Sequence, residues 1–79
     1  MKHIEVYSTN NCPWCVRAKT LLHSKGLDYK EINISVDMDR TLEMVERSGR
    51  RTVPQIFIDD EPIGGFTELS AMNQAGKLG

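Results

Sequence analysis

The apolar positions of this chain change period several times along its length. Four segments alternate apolar and polar residues or are short apolar runs, which is typical of β-strands; they span residues 3–7, 28–34, 55–58 and 61–63. Between and after these segments, apolar residues recur at the spacing of an α-helix. The resulting order of elements is β-α-β-α-β-β-α, which predicts an α/β fold.

The first predicted helix covers about residues 13–25. Pro13 suits the first helical position because its missing N–H would have no intrahelical partner there, and Asn11 or Cys12 is placed to cap the helix. The apolar side chains that follow recur at helical spacing: Val16, Ala18, Leu21 and Leu22. Gly26 then provides a C-terminal stop.

The second and third helices are bounded by similar signals. Asp37 is a candidate N-cap for the second helix, and Gly49 ends it. Its predicted apolar stripe consists of Met38, Leu42 and Val45. After the chain break at Gly64-Gly65, Thr67 is the candidate cap of a short third helix. The residues that this helix turns inward are Leu69 and Met72.

Connection rules convert the order of elements into a topology. A β-α-β unit is right-handed, which makes the first two strands parallel. The two-residue turn Asp59-Asp60 makes the last two strands an antiparallel hairpin. Three helices can then cover both faces of a four-stranded mixed sheet. A chain of 79 residues supports one hydrophobic core, so we expect a single domain over residues 1–79.

Composition excludes several classes of function. Ten basic and eleven acidic residues give a net charge of −1, and no Lys/Arg-rich block is interleaved with aromatic residues, so we expect no nucleic-acid partner. The basic cluster Arg47, Arg50 and Arg51 is interpreted as a solvated loop. No apolar run of roughly 18 residues and no signal-peptide pattern occurs, which predicts a cytoplasmic protein without a membrane span. A monomer is the default expectation for this size and surface.

The only two cysteines lie three positions apart in the stretch NNCPWCVRAK. In a reducing cytoplasm this spacing indicates redox or metal chemistry. Cys12 would lie at the N-terminus of the first helix, where free N–H groups and the helix dipole favour an anion and lower the pKa of a thiol from about 8.5 to roughly 3.5–7.5. Cys12 is therefore the candidate nucleophile, Cys15 the candidate resolving thiol, and Trp14 an apolar wall beside the substrate.

Two other interpretations of the cysteine pair are weaker. Cysteines at i and i+3 form half of a zinc site, but His3 and His23 show no ligand spacing and no second C-x-x-C is present, so we expect no metal. Buried structural thiols would rarely stand at a helix start beside a polar loop. Both histidines are interpreted as surface residues.

A proline precedes the third strand, in the stretch RTVPQIFI. It removes a hydrogen-bond donor and pushes Val53 out of the helical conformation. A cis Val53–Pro54 bond would free the N–H and C=O of Val53 to pair with an extended peptide. Only about 5–6% of such bonds are cis, so the residues alone favour a trans proline that opens an edge strand.

Three stretches in register, CPWC, TVPQIFI and GGFTEL, resemble a small dithiol glutaredoxin over nearly the whole chain. The resemblance implies a thioredoxin-like fold, a cis Pro54 facing the cysteines, and glutathione as the reducing co-substrate, with no permanently bound cofactor. It also implies that Cys12 attacks and that Cys15 resolves. The residues that it assigns to glutathione binding are Trp14, Thr52, Val53, Pro54, Gly65, Phe66, Thr67 and Glu68.

The helix start after the double glycine suits the γ-glutamyl end of glutathione. The N–H groups of Phe66 and Thr67 can bind its carboxylate, and Glu68 can receive its ammonium group. The chain departs from the family pattern at two places. Many glutaredoxins have a lysine where this chain has Thr9, with Arg50 or Arg51 as candidate replacements, and the loop that commonly reads G-G-C/S-D-D has one fewer acidic residue.

The expected substrates are protein–glutathione mixed disulfides and protein disulfides, and three rival functions remain open. One is a redoxin that is reduced by thioredoxin reductase and supplies ribonucleotide reductase. Phe66 and the missing acidic residue slightly favour it, whereas CPWC and TVP count against it. Another is a module in which two chains share a [2Fe–2S] cluster through Cys12 and two glutathiones, against which Pro13 counts. The last is a non-enzymatic fold with vestigial thiols, which predicts a Cys12 pKa of about 8.5.

Overall fold

The computed structural model describes residues 2–78, and its elements follow the predicted order. They are β1 (Ile4–Ser8), α1 (Pro13–Ser24), β2 (Lys30–Asn33), α2 (Met38–Ser48), β3 (Gln55–Ile58), β4 (Glu61–Gly64) and α3 (Phe66–Gln74). The main difference in bounds is β2, which is shorter than predicted. No helix within residues 2–78 combines the length and the apolar character needed to cross a membrane.

The strands form one mixed sheet in the order β2-β1-β3-β4. β1 pairs in parallel with β2, whereas β3 is antiparallel to both β1 and β4, so both predictions about strand direction are confirmed. Because β3 runs opposite to the other three strands, its N-terminus lies at the same edge as their C-termini. The residues that follow β1, precede β3 and follow β4 therefore meet at one edge of the sheet.

The turn and the caps of α2 follow the sequence signals. Asp59 and Asp60 connect β3 to β4 with positive φ angles of 52° and 69°, the conformation that a two-residue hairpin requires. Asp37 caps α2 by accepting a hydrogen bond from the backbone N–H three residues later. Gly49 ends the helix in the left-handed conformation, at φ 73°.

Two apolar clusters fill the two faces of the sheet, so helices cover both faces as predicted. The cluster under α1 and α3 consists of Ile4, Val6, Ala18, Leu22, Ile56, Ile58, Leu69 and Leu78, with Met72 packed against it. The cluster under α2 consists of Tyr7, Ile32, Ile34, Met44 and Phe57. Alternate residues of β1 and β3 contribute to opposite clusters, as the alternation in the sequence requires.

Two of the three residues in the predicted apolar stripe of α2 face solvent, so that prediction is wrong. Met38 and Leu42 are 71% and 59% exposed, while Met44 is fully buried. The cause is the position of Arg47, one turn after Met44, which hydrogen-bonds to the hydroxyl of Tyr7 in β1. This polar contact with the sheet fixes which face of α2 is turned inward.

The interpretation of Arg47 as part of a solvated loop is also wrong. Its guanidinium donates to the Tyr7 hydroxyl at 2.8 Å and to Glu5 at 3.0 Å, and its Cζ lies 4.0 Å from the ring centroid of Phe57. Glu43 accepts a hydrogen bond from the same hydroxyl. That bond lowers the pKa of Glu43, while burial raises the pKa of Tyr7. The network ties α2 to β1.

Candidate active site

Cys12 ends the loop after β1 and is the N-cap of α1. Its backbone is extended, at φ −132° and ψ 98°, and its sulfur accepts a hydrogen bond from the backbone N–H of Cys15 at 3.1 Å. Pro13 occupies the start of the helix, as predicted. Of the two candidate caps, Asn11 and Cys12, the structure selects the cysteine. The first helical turn thus directs an N–H donor at this sulfur, and the positive end of the helix dipole lies beside it.

The two cysteines are joined by a disulfide and differ in exposure. Their Cα atoms are 5.2 Å apart. Cys15 is fully buried, whereas Cys12 is partly exposed. Because of this difference in exposure, an incoming disulfide can reach Cys12 but not Cys15. Neither cysteine belongs to a group of three or more possible metal ligands within residues 2–78.

The Val53–Pro54 peptide bond is cis, as the resemblance implied and contrary to the frequency of such bonds in general. The carbonyl oxygen of Val53 lies 3.8 Å from the sulfur of Cys12. β3 begins directly after Pro54. The loop before β3 and the loop after β1 therefore contact each other at the sheet edge.

A groove of about 230 Å³ opens beside Val53 at this edge, and we call it the inner groove. It is lined by Trp14, Arg50, Thr52, Val53, Pro54, Gln55, Gly65, Phe66, Thr67 and Glu68. These include all eight residues that the resemblance assigns to glutathione binding. They belong to three separate segments of the chain, which the topology of the sheet brings together.

Trp14 and Phe66 form an aromatic wall of the inner groove. Their ring centroids are 5.7 Å apart and their planes are inclined by 38°. Trp14 projects outward, as predicted, and is 52% exposed. Arg17, one turn further along α1, places its Cζ 4.6 Å from the centroid of the Trp14 ring. The aromatic pair joins the start of α1 to the start of α3.

The N-terminus of α3 faces the inner groove. Its N-cap is Gly65, so the prediction of Thr67 as the cap is wrong. The cause is Glu68, whose Oε1 accepts a hydrogen bond from the N–H of Gly65 at 2.7 Å and so completes the helix start two residues earlier. A Cβ on Gly64 would collide with the Glu68 side chain. Phe66 and Thr67 are the first two helical residues, so their N–H groups have no intrahelical partner.

Sequence reasoning missed Gln55 and only guessed at Arg50. Gln55 is 1% exposed; its Nε2 donates to the hydroxyl oxygen of Thr52 at 3.1 Å, and its Oε1 has no hydrogen-bond partner within the described residues. A long polar side chain in an otherwise apolar strand was the signal for it. Nη1 of Arg50 lies 3.4 Å from Oε1 of Glu68, which places this arginine in the groove wall.

Comparisons with known proteins agree with one another. The family model described as glutaredoxin matches residues 4–63. Glutaredoxin 3 of Escherichia coli (strain K12) is 47% identical over 78 residues, which cover 99% of this chain and 94% of the relative. The solution structure of glutaredoxin from Brucella melitensis is 45% identical, with a TM-score of 0.83 and coverage of 96% of this chain and 83% of that chain. The buckwheat glutaredoxin–glutathione complex is 30% identical, with a TM-score of 0.88 and coverage of 98% and 73%.

Proposed function

We propose that this chain takes its electrons from glutathione. The chain belongs to the glutaredoxin family and is a thiol–disulfide oxidoreductase with a thioredoxin-like fold. The proposed substrates are protein–glutathione mixed disulfides and protein disulfides. One observation carries the proposal: the eight residues expected to bind glutathione line a single groove, and the carbonyl oxygen of one of them, Val53, lies 3.8 Å from the sulfur of Cys12. Neighbourhood in the sequence does not explain this convergence, because they come from three separate segments.

The ligand chemistry supports the same choice. The buckwheat relative was solved in complex with glutathione. Glutathione is an extended tripeptide with a carboxylate at each end and an ammonium group at one of them. A site for it needs hydrogen-bond donors or cations at both ends and a free backbone edge in the middle. The inner groove offers the N–H groups of the α3 N-terminus, the guanidinium of Arg50 and the backbone of Val53.

In the proposed complex, the cysteinyl unit of glutathione pairs with the backbone of Val53 and lies against Pro54. The N–H groups of Phe66 and Thr67 bind the α-carboxylate of the γ-glutamyl unit, since a helix start favours an anion. The carboxylate of Glu68 attracts the neighbouring ammonium group. This arrangement directs the sulfur of glutathione toward Cys12.

Arg50 is the proposed partner of the glycyl carboxylate. Its side chain lines the inner groove and is 58% exposed, and its contact with the ligand would replace the exposed ion pair with Glu68, which leaves the Glu68 carboxylate to the ammonium group. It would supply the positive charge that many glutaredoxins take from a lysine at the position of Thr9. A hydrogen bond between a guanidinium and a carboxylate is charge-assisted, and it weakens as salt is added when both groups are exposed.

The proposed cycle for a mixed disulfide uses Cys12 alone. Its thiolate attacks the glutathione sulfur, so that a Cys12–glutathione disulfide forms, the substrate disulfide breaks, and the protein thiolate leaves and takes up a proton. The thiolate of a second glutathione then attacks the bound glutathione sulfur. Glutathione disulfide leaves and the Cys12 thiolate is restored. The net reaction consumes one glutathione for each protein thiol released.

The proposed cycle for a protein disulfide also requires Cys15. Cys12 forms a mixed disulfide with one substrate sulfur, and the other substrate sulfur leaves as a thiol. Cys15 then attacks Cys12, which releases the reduced substrate and leaves the Cys12–Cys15 disulfide that the structure contains. Two glutathiones reduce that disulfide. Glutaredoxin potentials of roughly −200 to −230 mV lie near the potential of the glutathione pool, so the direction of exchange follows that pool. The proposed place of the reaction is the cytoplasm.

A redoxin that thioredoxin reductase reduces, and that supplies ribonucleotide reductase, is the second candidate. The observation that favours it is Phe66, which packs on Trp14 where the family pattern has a small residue. A comparison of reductants separates the two candidates. The protein is given a peptide disulfide and NADPH, with either glutathione and glutathione reductase or thioredoxin reductase alone. The rate of NADPH oxidation is the readout.

We expect rapid turnover with glutathione, slow turnover with thioredoxin reductase, and no turnover by Cys12→Ser in either system. Turnover that depends on thioredoxin reductase and ignores glutathione would contradict the proposed function and support the second candidate. Equal rates for the wild type and Cys12→Ser would show that the nucleophile is assigned to the wrong residue.

A further inference from the structure

A second groove adjoins the Trp14–Phe66 pair. It has a volume of about 310 Å³ and is lined by Trp14, Phe66, Thr67, Ser70, Ala71 and Gln74; we call it the outer groove. Trp14, Phe66 and Thr67 line the inner groove as well. The aromatic pair is therefore a ridge shared by two depressions. Because five of the lining residues recur at helical spacing in α3, the outer groove follows one face of that helix away from the ridge.

The outer groove combines an uncharged lining with a nearby cation. None of its lining residues carries a formal charge. On the ridge itself, the guanidinium of Arg17 lies 4.6 Å from the centroid of the Trp14 ring. Arg17 takes part in none of the ion pairs formed within residues 2–78. Arg17 does not line the outer groove, but it lies against Trp14, which does. An uncharged groove with a cation beside one of its walls favours a ligand that combines an apolar side chain with a carboxylate.

The occupant follows from the exchange reaction. A disulfide under attack must lie over Cys12, and a substrate polypeptide continues on both sides of its cysteine, by about 3.3 Å per residue if extended. Because Trp14 lies two positions after Cys12, a substrate chain that runs toward α3 places side chains within a few residues of its cysteine beyond the Trp14–Phe66 ridge. The outer groove begins at this ridge, whereas glutathione, with one residue on each side of its cysteine, is accommodated by the inner groove alone.

We propose that the outer groove binds the polypeptide of a disulfide substrate next to its reacting cysteine, and that it selects an apolar side chain followed by an acidic one that pairs with Arg17. The inference extends the proposed function, since it concerns the protein disulfides reduced through the same two cysteines. It assigns a role in substrate selection to Arg17 and to the exposed face of α3.

A charge-reversal pair at Ala71 tests this inference. Ala71 is exposed, lines the outer groove and does not line the inner groove. Ala71→Glu and Ala71→Lys are similar in length, and both new residues favour a helix. The substrates are two peptides with the same internal disulfide, one flanked on both sides by Leu-Glu and the other by Ser-Lys. The mixed disulfide of glutathione and cysteine is the control substrate, and kcat/KM is measured at low salt with glutathione as reductant.

We expect the wild type to prefer the Leu-Glu peptide by about tenfold. Ala71→Glu should lower kcat/KM for that peptide about fivefold, while Ala71→Lys should leave it unchanged or raise it. Both variants should act on the glutathione–cysteine disulfide within about twofold of the wild type, since this substrate is confined to the inner groove. Equal losses in both variants, or no preference between the peptides in the wild type, would overturn the inference. If wild-type protein that has been reduced beforehand discriminates between the peptides in a single turnover but does not turn over with glutathione, the result would support docking and contradict the proposed reductant.

Discussion

The backbone N–H of Cys15 donates a hydrogen bond to the sulfur of Cys12, with 3.1 Å between the two atoms. One helical turn therefore holds both participants in the exchange. In the reduced protein, the same N–H group and the positive end of the α1 dipole can stabilise a thiolate at Cys12. The Cys15 side chain is fully buried, so it can react with Cys12 but not with a substrate in solution.

Cys15→Ser should separate the two proposed cycles. The variant keeps the backbone N–H that bonds to Cys12, so it should reduce the glutathione–cysteine mixed disulfide at a rate close to that of the wild type. It should lose most of its activity on a peptide disulfide, because only glutathione from solution can then displace the substrate from Cys12, in place of a thiol held one helical turn away. Coupled assays with glutathione reductase measure both rates. An equal loss on both substrates would contradict the division of roles between the two cysteines.

Gly64→Ala should damage the glutathione site through Glu68. Gly64 has a φ of 119°, and a Cβ there would lie 2.9 Å from Cγ of Glu68. We expect a loss of about 2 kcal/mol in the free energy of unfolding and a higher KM for glutathione, because Glu68 must move off the N–H of Gly65. Gly26→Ala is the matched control. It also has a positive φ, of 69°, but its Cβ would have open space.

Gly26→Ala should cost about 1 kcal/mol and leave the KM for glutathione unchanged. Denaturant unfolding and steady-state kinetics give the two quantities. Equal changes in KM for both variants would contradict the role assigned to the Glu68 side chain.

Arg47 and Arg50 are close in sequence and should behave differently when changed to glutamine. Arg47→Gln removes the hydrogen bonds to Tyr7 and Glu5, so it should lower the free energy of unfolding by about 2 kcal/mol.

Arg50→Gln changes an exposed side chain and should alter stability by less than about 0.5 kcal/mol. It should instead raise the KM for glutathione several-fold and flatten its dependence on salt. An unchanged KM would contradict the proposed contact with the glycyl carboxylate.

Gln55 offers a test of whether a buried polar group serves the site at the expense of stability. Gln55→Met replaces an amide whose Oε1 has no partner within residues 2–78, so we expect the free energy of unfolding to rise by about 1 kcal/mol. The variant also removes the hydrogen bond to Thr52, which should raise the KM for glutathione. Gln55→Glu, of the same shape, should lower stability because it buries an ionisable group. A less stable Gln55→Met would contradict the cost assigned to the unpartnered Oε1.

Local signals in the sequence were sufficient for most of the fold. Asp59-Asp60 determines a hairpin by its own turn geometry, and Pro13 and Gly49 mark helix ends through their backbone preferences. The cis bond at Pro54 is different, because the residues alone favour the trans form. Only the family resemblance predicted it, as it predicted the convergence of the residues around the inner groove.

The errors arose where distant side chains decide the local structure. Met44, not Met38, faces the core because the contact of Arg47 with Tyr7 orients α2, and these two residues are 40 positions apart. α3 starts at Phe66 because the Glu68 carboxylate completes the cap. Neither interaction changes the apolar period, so periodicity could not detect it.

The charge on Cys12 is the central claim, and the thiolate absorbance of reduced Cys15→Ser as a function of pH tests it most directly, because this variant contains a single thiol. The account predicts that Cys12 ionises with a pKa between roughly 3.5 and 7.5, as a thiol at a helix N-terminus does. A single transition at about 8.5, the value of an unperturbed cysteine, would contradict the account.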